Sequence, residues 1–447
     1  MTWFTGMVGV VCLGGSLLWA QPISVREAAR MAVEKHPAAQ AAGAGVRAAE
    51  ARLEQARTGY LPRLSYQESW QASNNPVFVF STLLVQRRFT EANFAIGSLN
   101  RPGGVHNFQS LVSAEQPIYD GGQTRRQVRT AELGVGLASE QRALSDMELV
   151  AGAARAYYGA LLAGEALGVA EASRASAEAD LQRALARRDA GMATEADVLS
   201  VRVHLAAVRE QTIVRRSERD VARAALNEAL GRPLDEPLEL SSKLRPVAAA
   251  AVSGERQARR AQAVRPEVKQ AGLAVEMSRV QESAARSAYL PQVTARVAGE
   301  ANRGQFVRQY GGNWFAGVSL RWNISSLYTS RGAIREAVET ERASEARKRQ
   351  LESGIALQVK AAEARLEAAR ERTLTAEAAV AEAAESLRIT RDRYENGLAT
   401  VTDLLRTQNA HLEAGLRRVM AVHDQCVAAV QVELASGTLT PESEVLQ

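Results

Sequence analysis

Five histidines and two cysteines are the residues best suited to binding a metal or supplying a nucleophile. His36, His106, His204, His411 and His423 show no metal-ligand spacing. His411 and His423 are twelve residues apart, not the four that would put both on one helix face. Cys426 has no second cysteine near it. No lysine is followed by Ser or Thr, so a phosphate-cradling loop of the Walker type is absent. There is no G-x-S-x-G, and no pair of acids has an evident pocket around it. The sequence therefore points to no metal site, no cofactor and no enzyme. What does recur is Thr194-x-x-Asp197 and Thr400-x-x-Asp403, the spacing of a capping box, where the acid is also favoured by the helix dipole. Each follows a glycine, Gly191 or Gly397, placed to end the preceding helix in a left-handed turn. Arg393 and Tyr394 stand just before the second turn, where arginine suits a helix C-terminus.

The elements that position these turns are unusually long. From Gln123 to Ala190 there is no proline. At roughly 1.5 Å per residue, one helix over that stretch would reach about 100 Å. Leu144, Met147, Ala151, Ala154, Tyr158 and Leu161 form one apolar seam. Ala143, Val150, Ala153, Tyr157, Ala160 and Leu167 form a second, one residue behind. Two seams at coiled-coil spacing, about 100° apart, suit a helix with a neighbour on each side. A soluble coiled coil has the same pattern, so the seams alone leave both readings open.

The net charge of +5 is almost wholly arginine, because lysine occurs only at positions 35, 243, 269, 348 and 360. The arginines are interleaved with acids, as in Arg335-Glu336 and Glu341-Arg342, so no basic patch for a nucleic acid is present. Met7 to Trp19 is apolar and followed by Ala20-Gln21, which reads as a signal peptide cleaved after Ala20. The first six residues lack lysine and arginine, and a short N-terminal anchor is the alternative. Cleavage would remove Cys12 and leave Cys426 alone, without an intrachain disulfide. No later stretch is apolar enough to cross a membrane as a helix. Membrane residence would require strands.

The chain is written twice. Pro37 to Pro62 and Pro266 to Pro291 both span 25 residues, and each segment ends in Tyr-Leu-Pro. Gly191, Asp197, Leu199 and Gly231 recur as Gly397, Asp403, Leu405 and Gly437, all at an offset of 206. Each half reads as a helix, two strands, a long helix and a further helix. The first comprises Val25–Gly59, strands near Leu64–Ser73 and Asn107–Gln116, then Gln123–Ala190 and Thr194–Leu230. The second comprises Glu255–Ala288, Gln292–Glu300, Asn313–Trp322, Ser330–Asn396 and Thr400–Leu434.

The strands alternate. Trp314, Ala316, Val318, Leu320 and Trp322 share one face, as do Leu64, Tyr66 and Trp70, with Glu68 out of phase. One apolar and one polar face with aromatic ends fits a lipid-facing barrel strand, and equally a strand packed on a soluble core. Four strands cannot close a membrane barrel, and open edges in lipid leave orphan amides, so a membrane reading demands several copies of the chain. Between the first two strands lies an insertion, Asn74 to Gly104, expected as a long hairpin loop anchored by Phe78, Phe80, Phe89 and Phe94 and partly covering the mouth. Leu238-Glu239-Leu240, in the joint between the halves, is a candidate short strand.

With these pieces in place the sequence resembles the TolC-type outer-membrane efflux proteins. The resemblance is carried by Val25-Arg26-Glu27-Ala28 through His36-Pro37, the two Tyr-Leu-Pro breaks, and Gln116-Pro117-Ile118-Tyr119-Asp120-Gly121-Gly122. To these belong Asp189-Ala190-Gly191-Met192-Ala193-Thr194 and Arg393-Tyr394-Glu395-Asn396-Gly397-Leu398-Ala399-Thr400. It implies a mainly α chain with a membrane β-barrel portion, in which very long antiparallel helices form a periplasmic α-barrel and each chain of a homotrimer adds four strands. It further implies an outer-membrane, periplasm-spanning exit duct in contact with lipid, docked to a periplasmic adaptor and an inner-membrane pump. By this resemblance Gly191, Met192, Gly397 and Leu398 are the tips that meet the adaptor. Asp403 lies near the constriction, with Arg393 and Tyr394 as latch candidates. Arg406 stands where the family can carry a second acid, which puts an acidic ring in doubt. The expected division is a signal peptide (1–20), a first repeat (21–234), a linker (235–254), a second repeat (255–437) and a tail (438–447). The competing reading is a secreted or periplasmic coiled-coil structural or adhesive protein without a channel.

Overall fold

The computed structural model describes residues 22–247, 254–307 and 311–446. The expected signal peptide and Cys12 lie outside the described residues. The first half runs α1 (Val25–Lys35), α2 (Pro37–Arg57), β1 (Arg63–Ser73), α3 (Pro76–Val85), α4 (Ile96–Asn100), β2 (Val105–Tyr119), α5 (Gln123–Asp189) and α6 (Glu195–Ala229). The second runs α7 (Gly254–Val264), α8 (Pro266–Arg286), β3 (Gln292–Arg303), β4 (Gly311–Arg321), α9 (Ser326–Thr329), α10 (Arg331–Glu395) and α11 (Val401–Ser436). The opening helix of each half, expected as one piece, is broken in two at His36-Pro37 and Arg265-Pro266. A residue before proline is pushed out of the α region, and His36 is accordingly extended. Ser24 starts α1 with a full capping box, its hydroxyl accepting from Glu27 N–H and its own N–H donating to the Glu27 carboxylate.

The chain divides into two contact units, and each draws on both halves of the duplication. One holds the residues up to Ala41, Leu144–Arg265 and those from Ile355 on; the other holds Ala42–Ala143 and Pro266–Gly354.

The second unit contains the sheet. Its four strands run antiparallel in the order β1-β2-β3-β4, so β1 and β4 are both edges. Register sorts the side chains cleanly. Opposed residues share a face, so the pair Val293 and Leu320 sets one face, and Gln292 and Arg321 set the other. The first carries Leu64, Tyr66, Trp70, Val112, Trp314, Val318 and Leu320, all exposed. The second carries Ser65, Gln67, Asn107, Gln109, Glu115, Arg296, Glu300 and Asn302. Glu68 lies on the apolar face, but it is neutralised there by Arg303, 2.5 Å away, and accepts hydrogen bonds from Tyr66 and Ser110.

The insertion is folded rather than a plain loop. Asn75 caps α3 by accepting from the N–H groups of Val77 and Phe78, with Pro76 at the first helical position. Phe80, Phe89 and Phe94 pack edge to face at 4.9 and 5.1 Å between centroids. Gln86, fully buried, donates to the His106 carbonyl and to Asn107, and Asn107 in turn donates to Asn302. Both asparagines belong to the polar face, so the insertion is fastened to that side.

The core of the first unit is built on the two α5 seams. Tyr157 donates to the Ile23 carbonyl at 2.7 Å and accepts from Ser242 N–H, while Tyr158 donates to the Val445 carbonyl at 3.0 Å. One helical turn thus secures the N-terminal, inter-repeat and C-terminal segments. Leu240 forms a single bridge to Ile23 instead of the short strand expected around it. A lone bridge suffices because Tyr157 already satisfies the neighbouring backbone groups. Cys426 is buried and donates to the Arg245 carbonyl, and burial pushes its thiol up to about 12, which makes it a packing residue.

The duplication is visible in the caps. Gly231 ends α6 at φ +69°, and a Cβ there would sit 2.9 Å from the His36 Cα. Gly437 ends α11 at φ +71° and packs likewise on Arg265, the corresponding break. Gly231→Ala is expected to cost about 3 kcal/mol, from the left-handed conformation and the backbone clash together. A thermal melt unchanged by that substitution would show that His36 yields freely.

Candidate constriction and docking tips

The helix ends that meet at the Gly191 and Gly397 turns belong to the first unit. Both turns close with the same geometry. Gly191 N–H donates to the Arg188 carbonyl and Met192 N–H to the Arg187 carbonyl; Gly397 and Leu398 do the same to Tyr394 and Arg393. This is the Schellman closure, and φ values of +76° and +75° explain why glycine is used. No atom lies within 4 Å of a Cβ built on either glycine. Side chains would fit; the backbone conformation is what excludes them. Met192 and Leu398 are 64% and 68% exposed, two apolar side chains held in water.

Each tip restarts as a capped helix. Thr400 N–H and hydroxyl donate to the Asp403 carboxylate at 3.1 and 2.7 Å, and Asp403 N–H donates back at 3.2 Å. Thr194 and Asp197 repeat the arrangement at 2.9, 2.8 and 3.2 Å. The Thr400 hydrogen bonds hold the Asp403 carboxyl below the usual range, helped by Arg406 and Arg393. Asp403, Arg393 and Arg406 are all exposed. Tyr394 is different: it is buried, its hydroxyl has no partner among the described residues, and burial pushes its pKa up. The Arg187 guanidinium lies 5.0 Å from its ring centre and donates to the Tyr394 and Glu395 carbonyls at 2.9 and 2.6 Å.

Apolar packing locks the two hairpins together behind these turns. Ala184 and Leu185 of α5, Val198 and Val201 of α6, Leu387 and Tyr394 of α10, and Leu404 of α11 form one cluster. Within this bundle sits an acid. The Asp180 side chain is 2% exposed and is bonded to Arg183 on its own helix, Arg391 of α10 at 3.4 Å and Gln408 of α11. Arg391 also donates to the Ser176 hydroxyl at 2.8 Å. Burial pushes the Asp180 carboxyl up, against the pull of Arg391 and Arg183, and Glu395 adds to the rise. Burial lowers the pKa of His204 of α6, against the attraction of Asp180. Asp180 therefore ties α5 to both helices of the other hairpin. Sequence reasoning missed it. Its signal was an acid among Ala177, Leu181 and Ala184, where the seam calls for an apolar residue; Gln408 interrupts the Leu404–Leu412 seam in the same way.

The chain thus joins long helical hairpins to an amphipathic four-stranded sheet. The family model for outer membrane efflux proteins matches residues 28–232 and 258–438, and the chain belongs to that family. The two matched stretches follow the duplication. No curated protein matches the chain by sequence. Among solved structures, CusC is similar with a TM-score of 0.78 and 16% identity, over 94% of this chain and 93% of that one. A membrane protein from Pseudomonas aeruginosa has a TM-score of 0.78 and 17% identity, covering 92% and 93%. The Campylobacter jejuni CmeC outer membrane channel has 0.78 and 13%, covering 94% and 87%. The protein is thus an outer membrane efflux protein by family, which disfavours the coiled-coil alternative.

Proposed function

We propose that the protein is the passive exit duct of a tripartite efflux or type I secretion system, working as a homotrimer with a periplasmic adaptor and an inner-membrane pump. The observation that carries the reading is the open sheet: an apolar face for lipid, a polar face opposite, and two strand edges without partners among the described residues. Such edges are not tolerated in lipid, and twelve strands from three copies close a barrel with room for a lumen. The repeats (21–234 and 255–437), joined by the 235–254 linker, then supply equivalent staves, and the 438–447 tail packs at the seams. Heat-resistant trimers in outer-membrane fractions that conduct in planar bilayers are expected. Soluble monomers without conductance would sink the reading.

Asp403, with Arg393, Tyr394 and Arg406 near it, is the candidate constriction. Asp403→Ala is expected to change single-channel conductance severalfold at neutral pH; unchanged conductance leaves Asp403 a helix cap and nothing more. Gly191, Met192, Gly397 and Leu398 are the candidate adaptor contacts, because two exposed apolar side chains on rigid turns are suited to a partner's groove. Gly397→Asp should abolish copurification with the adaptor, and retention of the adaptor would remove this tip from the interface.

A further inference from the structure

A cavity of about 800 Å³ lies in the second unit, where the helix-proximal ends of the strands meet α2, α5 and α8. Its walls are largely apolar, from Ala49, Ala131, Val280, Ala284 and Leu290. Its charges are three arginines, Arg52, Arg126 and Arg321, and one acid, Asp120.

The acid is already committed. Its two carboxylate oxygens accept from Gly122 N–H at 2.8 Å and Thr124 N–H at 2.6 Å, closing the turn into α5. Arg126 is spent in positioning, donating to the Gly121 carbonyl at 2.9 Å and the Ser287 hydroxyl at 2.6 Å, and no acid pairs with it among the described residues. Arg52 and Arg321 have no hydrogen-bond or ion-pair partner among the described residues. Two free guanidinium groups therefore face an apolar chamber beside a third that lacks a counter-charge.

The side of the sheet on which the cavity opens decides what can reach it. Gln292 and Arg321 line it and are opposed in register on the polar face, away from Leu320 and Val318. Two polar-face rows further along, Arg63, Glu115 and Arg296 lie side by side on β1, β2 and β3, adding more positive than negative charge. In the duct reading, on which this inference rests, the polar face lines the lumen. Lipid is then on the other side of the sheet, and the occupant comes from the stream in transit.

We propose that this cavity is a lumenal binding site for anionic amphiphiles: molecules with a carboxylate, sulfate or phosphate head on a compact apolar body. Planar guanidinium groups match such heads in a bidentate manner, and the alanine, valine and leucine wall receives the body. Bulky cations are repelled by the same charges, and a small inorganic anion leaves the apolar wall unused.

Equilibrium dialysis of the purified protein tests the site with three probes: naphthalene sulfonate, its cationic counterpart naphthyl trimethylammonium, and inorganic sulfate. Naphthalene sulfonate is expected to bind at about one per chain, with the other two at least roughly tenfold weaker. Arg52→Gln combined with Arg321→Gln should weaken it about tenfold or more, since each substitution removes a charge-assisted bond. Both side chains are exposed and unpartnered, so the fold has no reason to change. Equal binding of the cation, equal binding of sulfate, or no effect of the double substitution overturns the proposal. Single-channel recording reads the duct separately: absent current sinks the conduit reading, whereas current without anion binding sinks only this site.

Discussion

Tyr157→Ala is expected to destabilise the protein by about 4 kcal/mol. The ring is fully buried on the α5 seam, and removing a buried aromatic costs about 3–5 kcal/mol through lost burial and the cavity left behind. Its hydroxyl also serves Ile23 and Ser242, so the truncation frees backbone groups in two other segments. Tyr157→Phe keeps the ring and should cost only about 1 kcal/mol. Thermal melts of the two variants separate packing from tethering. If they fall together, the ring contributes little and the hydroxyl dominates.

Conductance is expected to rise with pH through the titration of Asp180. The carboxyl is pushed up where it is buried between α5, α10 and α11, and returns to the ordinary range once those helices part and water reaches it. The packed arrangement of α5, α10 and α11 therefore binds the proton more tightly than one with the helices parted, which in the proposed duct reading is the conducting one. Its advantage is fully present below the solvated pKa and is lost as pH rises through the raised value. Each pH unit of elevation biases closure by about 1.4 kcal/mol, roughly tenfold in the equilibrium. Arg183, Arg391, Glu395, His204 and Tyr394 are charged or titratable groups around it, and Gln408 is bonded to it. Asp180→Asn fixes the uncharged state and should hold conductance at its low-pH level across the range. A pH profile identical to that of the wild type would show that Asp180 stays buried through opening.

Much of the architecture was legible because it rests on periodicities of backbone and seam. Two prolines 25 residues from two others, and glycines and aspartates repeated at 206, report local conformations that each half must adopt. The tips were legible for the same reason: a left-handed glycine followed by Thr-x-x-Asp is a local device, written in adjacent residues. The breaks at His36 and Arg265 were legible as X-Pro pairs, each opening a 25-residue segment, although the helical pattern on either side reads as one element. Asn75-Pro76, a cap followed by a first-turn proline, likewise announced α3 inside what looked like a loop.

What stayed hidden depends on partners distant in the chain. Asp180 meets Gln408 across more than two hundred residues, and Gln86 meets Asn107 only because the insertion folds back onto the sheet. Glu68 looked like a flaw in its strand until Arg303 appeared beside it. A polar residue at an apolar position marks an unmet need, but adjacent residues cannot say which distant group meets it.

That last pair also constrains the order of biogenesis. Glu68 and Arg303 sit on β1 and β3 with β2 between them. In the proposed duct reading, an uncompensated charge on the lipid face costs up to about 2–4 kcal/mol at mid-depth and about 0–1 kcal/mol near the interfaces, so each strand entering alone would carry a penalty. Only once all three strands have zipped together do the charges cancel. In the proposed duct reading, pairing of the two hairpins before insertion is therefore favoured, because the charges cancel only in the assembled sheet.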